Sequence, residues 1–212
     1  MAELGLFPLG IVLFPESAYP LHIFEERYKL LINNCIKNDV EFGICYLNSK
    51  GMSHIGCSAV VSDVIKKYPD GRMDILIAGV KRFRILNFSD GKTPYYSATI
   101  EYFEDDDNEY DLIKLYECTD LFNQIADNIK SVKVDPIIVE ELKVTKPSFF
   151  ISQKSGMSPE QRQAILEMRN ENQRLIYIIR HLKRLFPVVK EAEFISEMIK
   201  NDGYLKPGQF KF

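Results

Sequence analysis

The residue types that most often carry chemistry are scattered through this sequence. Three histidines, His22, His54 and His181, lie on segments that share no spacing. His22 stands in the apolar run Pro20–Phe24, where pairing with the Cys35 thiol would supply a base and a nucleophile. A histidine in such a tight apolar segment more often hydrogen-bonds the backbone. We therefore interpret His22 as structural.

Sequence motifs for phosphate binding and acyl transfer are absent. No GxxxxGK[ST] loop occurs, so the chain lacks the backbone amides that would cradle nucleotide phosphates. No GxSxG segment occurs either, so no serine is placed on a nucleophile elbow. We predict that the chain is not an enzyme and that it uses neither ATP nor any other cofactor.

The cysteines and the acidic residues do not predict a metal site. Cys35, Cys45, Cys57 and Cys118 are far apart and stand at apolar positions, whereas zinc ligands are spaced a few residues apart. We expect four reduced thiols in the core. The acidic run Glu104–Glu109 lacks the glycine and the distal glutamate of a calcium loop, so it is more simply a hydrated linker.

One basic cluster is compatible with RNA binding. In the strand pattern Val80–Leu86, alternation places Arg82 and Arg84 on one face and Lys81 on the other. Lys81, Arg82 and Arg84 could contact RNA phosphates, or they could pair with carboxylates of this chain. The net charge of −3 disfavours nucleic acid in general. RNA binding through these three residues is the alternative hypothesis.

The composition is that of a globular protein with a substantial core. Of 212 residues, 46% are hydrophobic and 27% are charged. No apolar run is long enough to cross a membrane, and the first residues lack the basic region of a signal peptide. We expect a cytoplasmic protein without a membrane partner.

The first half of the chain is predicted to consist of strands with one helix. Apolar positions at intervals of three and four predict a helix over Glu25–Asn38, and the Pro69–Arg72 segment predicts a tight hairpin turn. Strands are predicted at Gly10–Phe14, Val40–Leu47, Ile55–Tyr68, Met73–Ile77, Val80–Leu86 and Tyr95–Phe103. This order favours a closed or partly closed sheet of roughly five or six strands.

The second half is predicted to be helical. Residues 105–110 form the acidic linker, and helical spacing follows over Asp111–Lys130. Ser158, with proline after it and Gln161 three residues on, is a helix start signal. We expect Pro187 to end that helix, and a last helix to run from about Lys190 to Asn201–Gly203. The fold class is therefore α+β, with a β-rich part at 1–104 and an all-helical part at 111–212.

Several segments resemble one known family over nearly the whole chain. The specific ones are Phe7–Pro15 (FPLGIVLFP) and Pro20–Tyr28 (PLHIFEERY), and Phe42–Ile44, Asp70–Arg72 and Gly79–Ile85 extend the likeness. In these segments the chain resembles the N-terminal, substrate-binding domain of Lon proteases. The resemblance implies a PUA-like β pseudo-barrel with one helix, followed by a helical subdomain.

The resemblance also implies a function. In Lon this region precedes an ATPase and a Ser–Lys protease domain, and it helps to capture unfolded or tagged substrates and to assemble the hexamer. We expect a free-standing Lon-domain protein without those two domains. The function expected is that of a non-catalytic module in protein quality control, which binds unfolded or tagged polypeptide or a partner protein. Hydrolase activity, a third hypothesis, has no residues to which it can be assigned.

The opening segment, Leu6–Tyr28, supplies the candidate site residues. Its aromatic side chains are the proposed peptide contacts: Phe14, Tyr19, Phe24 and Tyr28. Its remaining motif residues are expected to shape and brace the segment: Pro8, Gly10, Pro15, Pro20, His22, Glu25 and Arg27.

Overall fold

Six strands form one sheet that closes on itself. The computed structural model describes residues 2–200 except 90, 92, 108, 131 and 132, with side chains as far as residue 196. The strands are β1 (Ala2–Leu9), β2 (Ala18–Ile23), β3 (Phe42–Asn48), β4 (Gly51–Lys67), β5 (Met73–Phe88) and β6 (Tyr96–Tyr102). Their order is β2-β5-β4-β3-β1-β6, and β6 also pairs with β5. The expectation of a closed or partly closed sheet is confirmed.

The sheet is mixed in direction. β1 and β3 are parallel, and every other pairing among these strands is antiparallel. Five helices accompany the strands in the described part of the chain: α1 (Glu26–Asn38), α2 (Leu112–Asn128), α3 (Pro147–Lys154), α4 (Pro159–Glu167) and α5 (Glu171–Lys200). A short 3-10 helix, Val139–Glu141, lies between α2 and α3. The fold class is α+β, as predicted.

The barrel and α1 share a continuous apolar core. Tyr28, Leu31, Ile32 and Cys35, which lie on one face of α1, pack against buried residues of β3, β4 and β5. A second cluster fills the barrel with residues of β1, β3, β5 and β6. All four cysteines are buried and free, so the prediction of reduced core thiols is confirmed. Burial raises the pKa of Cys35 to about 11 and that of Cys45 to about 12.

The predicted first strand is displaced. The strand is Ala2–Leu9, and Gly10–Phe14 lies outside regular structure although its last three residues are buried. The hydroxyl of Ser17 accepts from the Phe14 amide (3.2 Å) and donates to the Phe14 carbonyl (2.6 Å). These bonds occupy the backbone groups that a strand partner would need, so the segment turns instead of pairing.

The hairpin of β4 and β5 is longer than predicted. β4 begins at Gly51, within the predicted loop, and β5 runs through Ala78-Gly79 without a break. Gly79 donates to the Ser17 carbonyl (2.8 Å), and its own carbonyl accepts from Glu16 (2.9 Å). The predicted strands leave a gap at Ala78-Gly79. The pairing instead continues there, and its register shifts at a β-bulge between Cys57 and Ala59 of β4.

The chain divides into two compact units that are interleaved in sequence. The first unit contains Met1–Asn108 and Ser152–Asn170, and the second contains Glu109–Ile151 and Glu171–Phe212. The segment with α4, which we predicted within the 111–212 part, thus belongs with the barrel. One contact that holds it there is the hydrogen bond from the side-chain amide of Gln163 on α4 to the carbonyl of Ile55 on β4 (3.1 Å).

The acidic segment is also held by the first unit. Asp105, predicted as part of a 105–110 linker, is buried, and its carboxylate accepts from Arg82 (2.5 Å). The Asp106 amide donates to the Arg169 carbonyl (2.9 Å), and the two side chains form an ion pair at 2.6 Å. Because Asp105 and Asp106 are paired with arginines, this part of the segment lies against the barrel and is not the hydrated linker that we predicted.

In the second unit, α2 packs against α5. α5 is continuous from Glu171 to Lys200, so the predicted stop at Pro187 and the separate start near Lys190 are wrong. A proline removes only one helix hydrogen bond, and here the turns on both sides carry the helix across it. The predicted cap at Asn201–Gly203 lies outside the described residues.

Candidate functional site

An apolar groove of about 900 Å³ lies on the barrel beside the opening segment. Its volume is within the range of roughly 300–1,000 Å³ that is usual for ligand sites. Three large side chains in it are exposed to solvent: Tyr96 (54%), Phe88 (47%) and Leu47 (43%). The groove is also lined by Phe7, Glu25, Arg27, Tyr28 and Tyr95. Apolar surface left open in a groove is typical of a binding site.

The floor of the groove is a stack of three side chains. The rings of Phe7 and Tyr28 are nearly parallel, with centroids 3.8 Å apart. The guanidinium of Arg27 lies over the Tyr28 ring, 4.6 Å from its centroid. Burial raises the pKa of the Tyr28 hydroxyl, so this phenol stays neutral. Strand β1 supplies Phe7, whereas the first turn of α1 supplies Arg27 and Tyr28.

The groove contains one ion pair. Arg27 donates from Nε (2.9 Å) and from Nη2 (2.8 Å) to the same oxygen, Oε2 of Glu25. The two side chains remain 42% and 41% exposed, respectively. Their hydrogen bond raises the pKa of Arg27 above its ordinary value. Glu25 and Arg27, which we expected to brace the opening segment, thus bond each other within the lining of the groove.

The four predicted peptide contacts lie in different environments. Phe14 is completely buried and therefore has no surface for a ligand. Tyr28 is buried too, but it forms the groove floor. Tyr19 and Phe24 are exposed, Phe24 by 60%, and neither lines the groove. The structure therefore brings only Tyr28 of this set to the groove.

The other motif residues of the opening segment shape the backbone. Pro8 lies in β1 and lines the groove, and Pro20 lies in β2, which has β5 on one side. Pro15 precedes Glu16, whose φ is +61°, and Gly10 is exposed after β1. The positions of Pro15 and Pro20 suit proline, because turns and edge strands have no need of its missing amide, and Pro8 lies beyond Leu6, where the pairing of β1 with β6 ends.

His22 lies on the surface, where it bonds an aspartate instead of the Cys35 thiol. Its Nδ1 donates to Oδ1 of Asp74 (2.6 Å), and the other oxygen of Asp74 accepts from the Tyr68 hydroxyl (2.8 Å). These hydrogen bonds lower the pKa of Asp74. The Cys35 thiol is buried in the core instead, so the histidine tethers β2 to β5.

The three basic residues of β5 are not equivalent. Arg82 is buried, and its Nη1 donates to the carbonyls of Leu166 (3.1 Å) and Met168 (2.6 Å) at the end of α4. Lys81 and Arg84 are exposed. Alternation correctly puts Arg82 on the outer face of the barrel, but α4 covers that face. Arg82 has no surface for an RNA phosphate, which weakens the alternative hypothesis.

Among the described residues, no group of three or more His, Cys, Asp or Glu side chains is placed to hold a metal ion. In the same part of the chain, no helix has the length and apolar character needed to span a membrane.

Sequence reasoning did not identify the exposed aromatic residues of the groove. Phe88 ends β5 and Tyr96 begins β6, and the register pairs Phe88 with Ala98 across the turn between them. The Tyr95-Tyr96 doublet directly after a Gly/Pro turn is the signal in the sequence. The two tyrosines line the same groove as Phe7 and Arg27 because the sheet closes, and this closure cannot be read from the doublet itself.

A family comparison decides to which group of proteins this barrel belongs. The model of the ATP-dependent protease La (LON) substrate-binding domain matches residues 3–184. The chain belongs to the LON substrate-binding domain family. Its matched part is thus a substrate-binding module and corresponds to a non-catalytic part of Lon.

Relatives in this family are distant in sequence and much longer. Lon protease of Dictyoglomus thermophilum is 21% identical over an alignment of 212 positions, which covers 94% of this chain and 26% of that protein. Lon protease of Escherichia coli strain K12 is 22% identical over an alignment of 214 positions, which covers 93% of this chain and 27% of that protein. The chain spans about a quarter of the length of these curated relatives.

Solved structures share the fold of this LON domain. A Lon N-terminal domain protein from Xanthomonas campestris matches with a TM-score of 0.64 at 20% identity, covering 85% of this chain and 98% of that one. The N-terminal domain of Lon protease from the Mycobacterium avium complex matches with a TM-score of 0.62 at 13% identity, covering 86% and 98%. The predicted family fold is confirmed.

Proposed function

We propose that this LON domain recruits unfolded or tagged polypeptide through the groove at Phe88 and Tyr96. The observation that carries the proposal is the open apolar groove itself. Unfolded polypeptide differs from folded protein chiefly in exposing apolar side chains. A groove lined by aromatic rings offers these side chains an apolar surface against which they can be removed from water. Family membership supports the same class of ligand. The binding needs no catalytic group and no nucleotide.

Affinity for an unfolded chain tests the proposal. A fluorescein-labelled, permanently unfolded protein, such as reduced and alkylated casein, is titrated with this LON domain while anisotropy is recorded. We expect saturable binding without ATP. Tyr96→Ala and Phe88→Ala should each weaken binding about tenfold, as truncation of a central aromatic contact does.

Phe24→Ala is the matched control. Phe24 is a comparably large and exposed ring on the opening segment, but it does not line the groove. We expect its truncation to change the affinity by less than about twofold, as for a residue at the periphery of an interface. Absence of any binding to the unfolded chain would refute the proposed function. A larger loss in Phe24→Ala than in Tyr96→Ala would move the site to the exposed aromatics that we first predicted.

A further inference from the structure

The ion pair in the groove has hydrogen-bonding capacity that the protein does not use. Both bonds from Arg27 reach Oε2 of Glu25. Within the described chain, no hydrogen bond to Nη1 of Arg27 or to Oε1 of Glu25 is found. The guanidinium lies over the Tyr28 ring, which restricts its orientation, so this one ion pair keeps a donor and an acceptor for a ligand.

The pair also supplies both charges of the described lining of the groove. Among the described lining residues, Glu25 and Arg27 are the charged ones, and their charges cancel. A ligand carboxylate near Arg27 would also be repelled by Glu25, and a ligand ammonium near Glu25 would be repelled by Arg27. The part of the ligand that covers this pair is therefore expected to be uncharged.

A peptide group has the matching pattern. Its carbonyl accepts one hydrogen bond and its amide donates one, and both occur in every residue of an extended chain except proline. A ligand without polar groups would cover the Arg27 Nη1 donor and leave it without an acceptor, which is unfavourable. The groove therefore favours polypeptide over a purely apolar molecule.

We propose that Glu25 and Arg27 recognise the main chain of the bound polypeptide. Nη1 of Arg27 donates to a main-chain carbonyl, and Oε1 of Glu25 accepts from a main-chain amide. Apolar side chains of the same segment pack against Leu47, Phe88 and Tyr96. The inference rests on the proposed function and specifies its substrate class, which is uncharged, apolar segments bound largely without regard to sequence.

Backbone-modified peptides test this contact on the unmodified protein. The probe is a short fluorescein-labelled peptide of leucine, alanine and glutamine with blocked ends, and its counterpart carries N-methylated main-chain amides. We expect N-methylation to weaken binding about tenfold, the effect of losing one hydrogen bond to a charged group. Replacing a glutamine of the probe by glutamate or lysine should not strengthen binding.

Protein variants separate loss of the hydrogen bond from a change in peptide shape. In Glu25→Ala the penalty of N-methylation should disappear, because the acceptor is gone. In the control Glu26→Ala it should persist, since Glu26 bonds Lys29 and lies outside the groove lining. Arg27→Met should weaken binding of the unmethylated probe.

Failure of this inference is distinguishable from failure of the proposed function. Equal binding of the normal and N-methylated probes, or an equal penalty in Glu25→Ala and in Glu26→Ala, would overturn main-chain recognition. In both cases the groove would remain a polypeptide site. A glutamate probe that bound tenfold more tightly would show that Arg27 recognises a side-chain carboxylate instead. Absence of binding by every probe and by unfolded casein would overturn both proposals.

Discussion

At the scale of single residues, Arg82 forms a buried ion pair outside the groove. Its guanidinium and the Asp105 carboxylate are 2% and 0% exposed, and Arg82 also lies over the ring of Phe103 at 4.7 Å. Removing one partner would leave the other charge buried and unpaired. The pair therefore holds the acidic segment and the end of α4 against β5.

Arg82→Met and Asp105→Asn test this role. Each should lower the free energy of unfolding by about 3–5 kcal/mol, whereas the double variant Arg82→Met/Asp105→Leu should lose less than the sum. Urea denaturation followed by circular dichroism measures these values. Arg84→Met, at an exposed position two residues along the strand, is the control. A loss below about 1 kcal/mol in Arg82→Met would contradict the role, since exposed pairs have that effect.

Gly79 permits the close approach of the irregular opening segment to β5. A Cβ at this position would overlap the carbonyl oxygen of Phe14, a backbone atom that cannot turn aside. We expect Gly79→Ala to destabilise the protein by roughly 1–3 kcal/mol through overpacking. Gly10→Ala is the control, because no atom lies within 4 Å of a Cβ built there. Thermal unfolding of the two variants checks the difference, and equal melting temperatures would exclude the steric explanation.

At the scale of elements, α5 contains a proline that weakens it. Pro187 lies well inside the helix Glu171–Lys200, where it lacks the amide for one helix bond. Pro187→Ala should therefore raise the free energy of unfolding by up to about 3 kcal/mol. Val188→Ala, at the adjacent exposed position, should change it by less than about 0.5 kcal/mol. A decrease in stability in Pro187→Ala would mean that packing of the ring outweighs the missing bond.

Elements with local signals could be predicted from the sequence, and those defined by distant contacts could not. The start of α4 was identified because the capping box is complete within Ser158–Gln161: the Ser158 hydroxyl accepts from the Gln161 amide, and the Gln161 side chain accepts from the Ser158 amide. The first strand was misplaced because the partner of Phe14 is Ser17 instead of a neighbouring strand. The uninterrupted α5 shows that one proline is a weak stop signal when turns on both sides favour helix.

At the scale of the whole molecule, sequence order and spatial units do not coincide. The unit that contains the barrel also includes Ser152–Asn170, which follows the first segment of the second unit in the sequence. Composition reveals the acidic change at residue 104, but it cannot reveal that Gln163 will bond the carbonyl of Ile55. The groove has the same origin, since Phe7, Tyr28, Phe88 and Tyr96 come from four elements. The family and fold were therefore predictable, whereas most of the site was not.

Site-specific photocross-linking tests the central claim most directly. Benzoylphenylalanine replaces Phe88, Tyr96 or, as control, Phe24, and each variant is irradiated with unfolded, alkylated casein. All three rings are large and exposed, and only the first two line the groove. We predict casein adducts from positions 88 and 96 and few from position 24. Adducts that form equally from position 24, or only from there, would contradict binding of polypeptide in the groove.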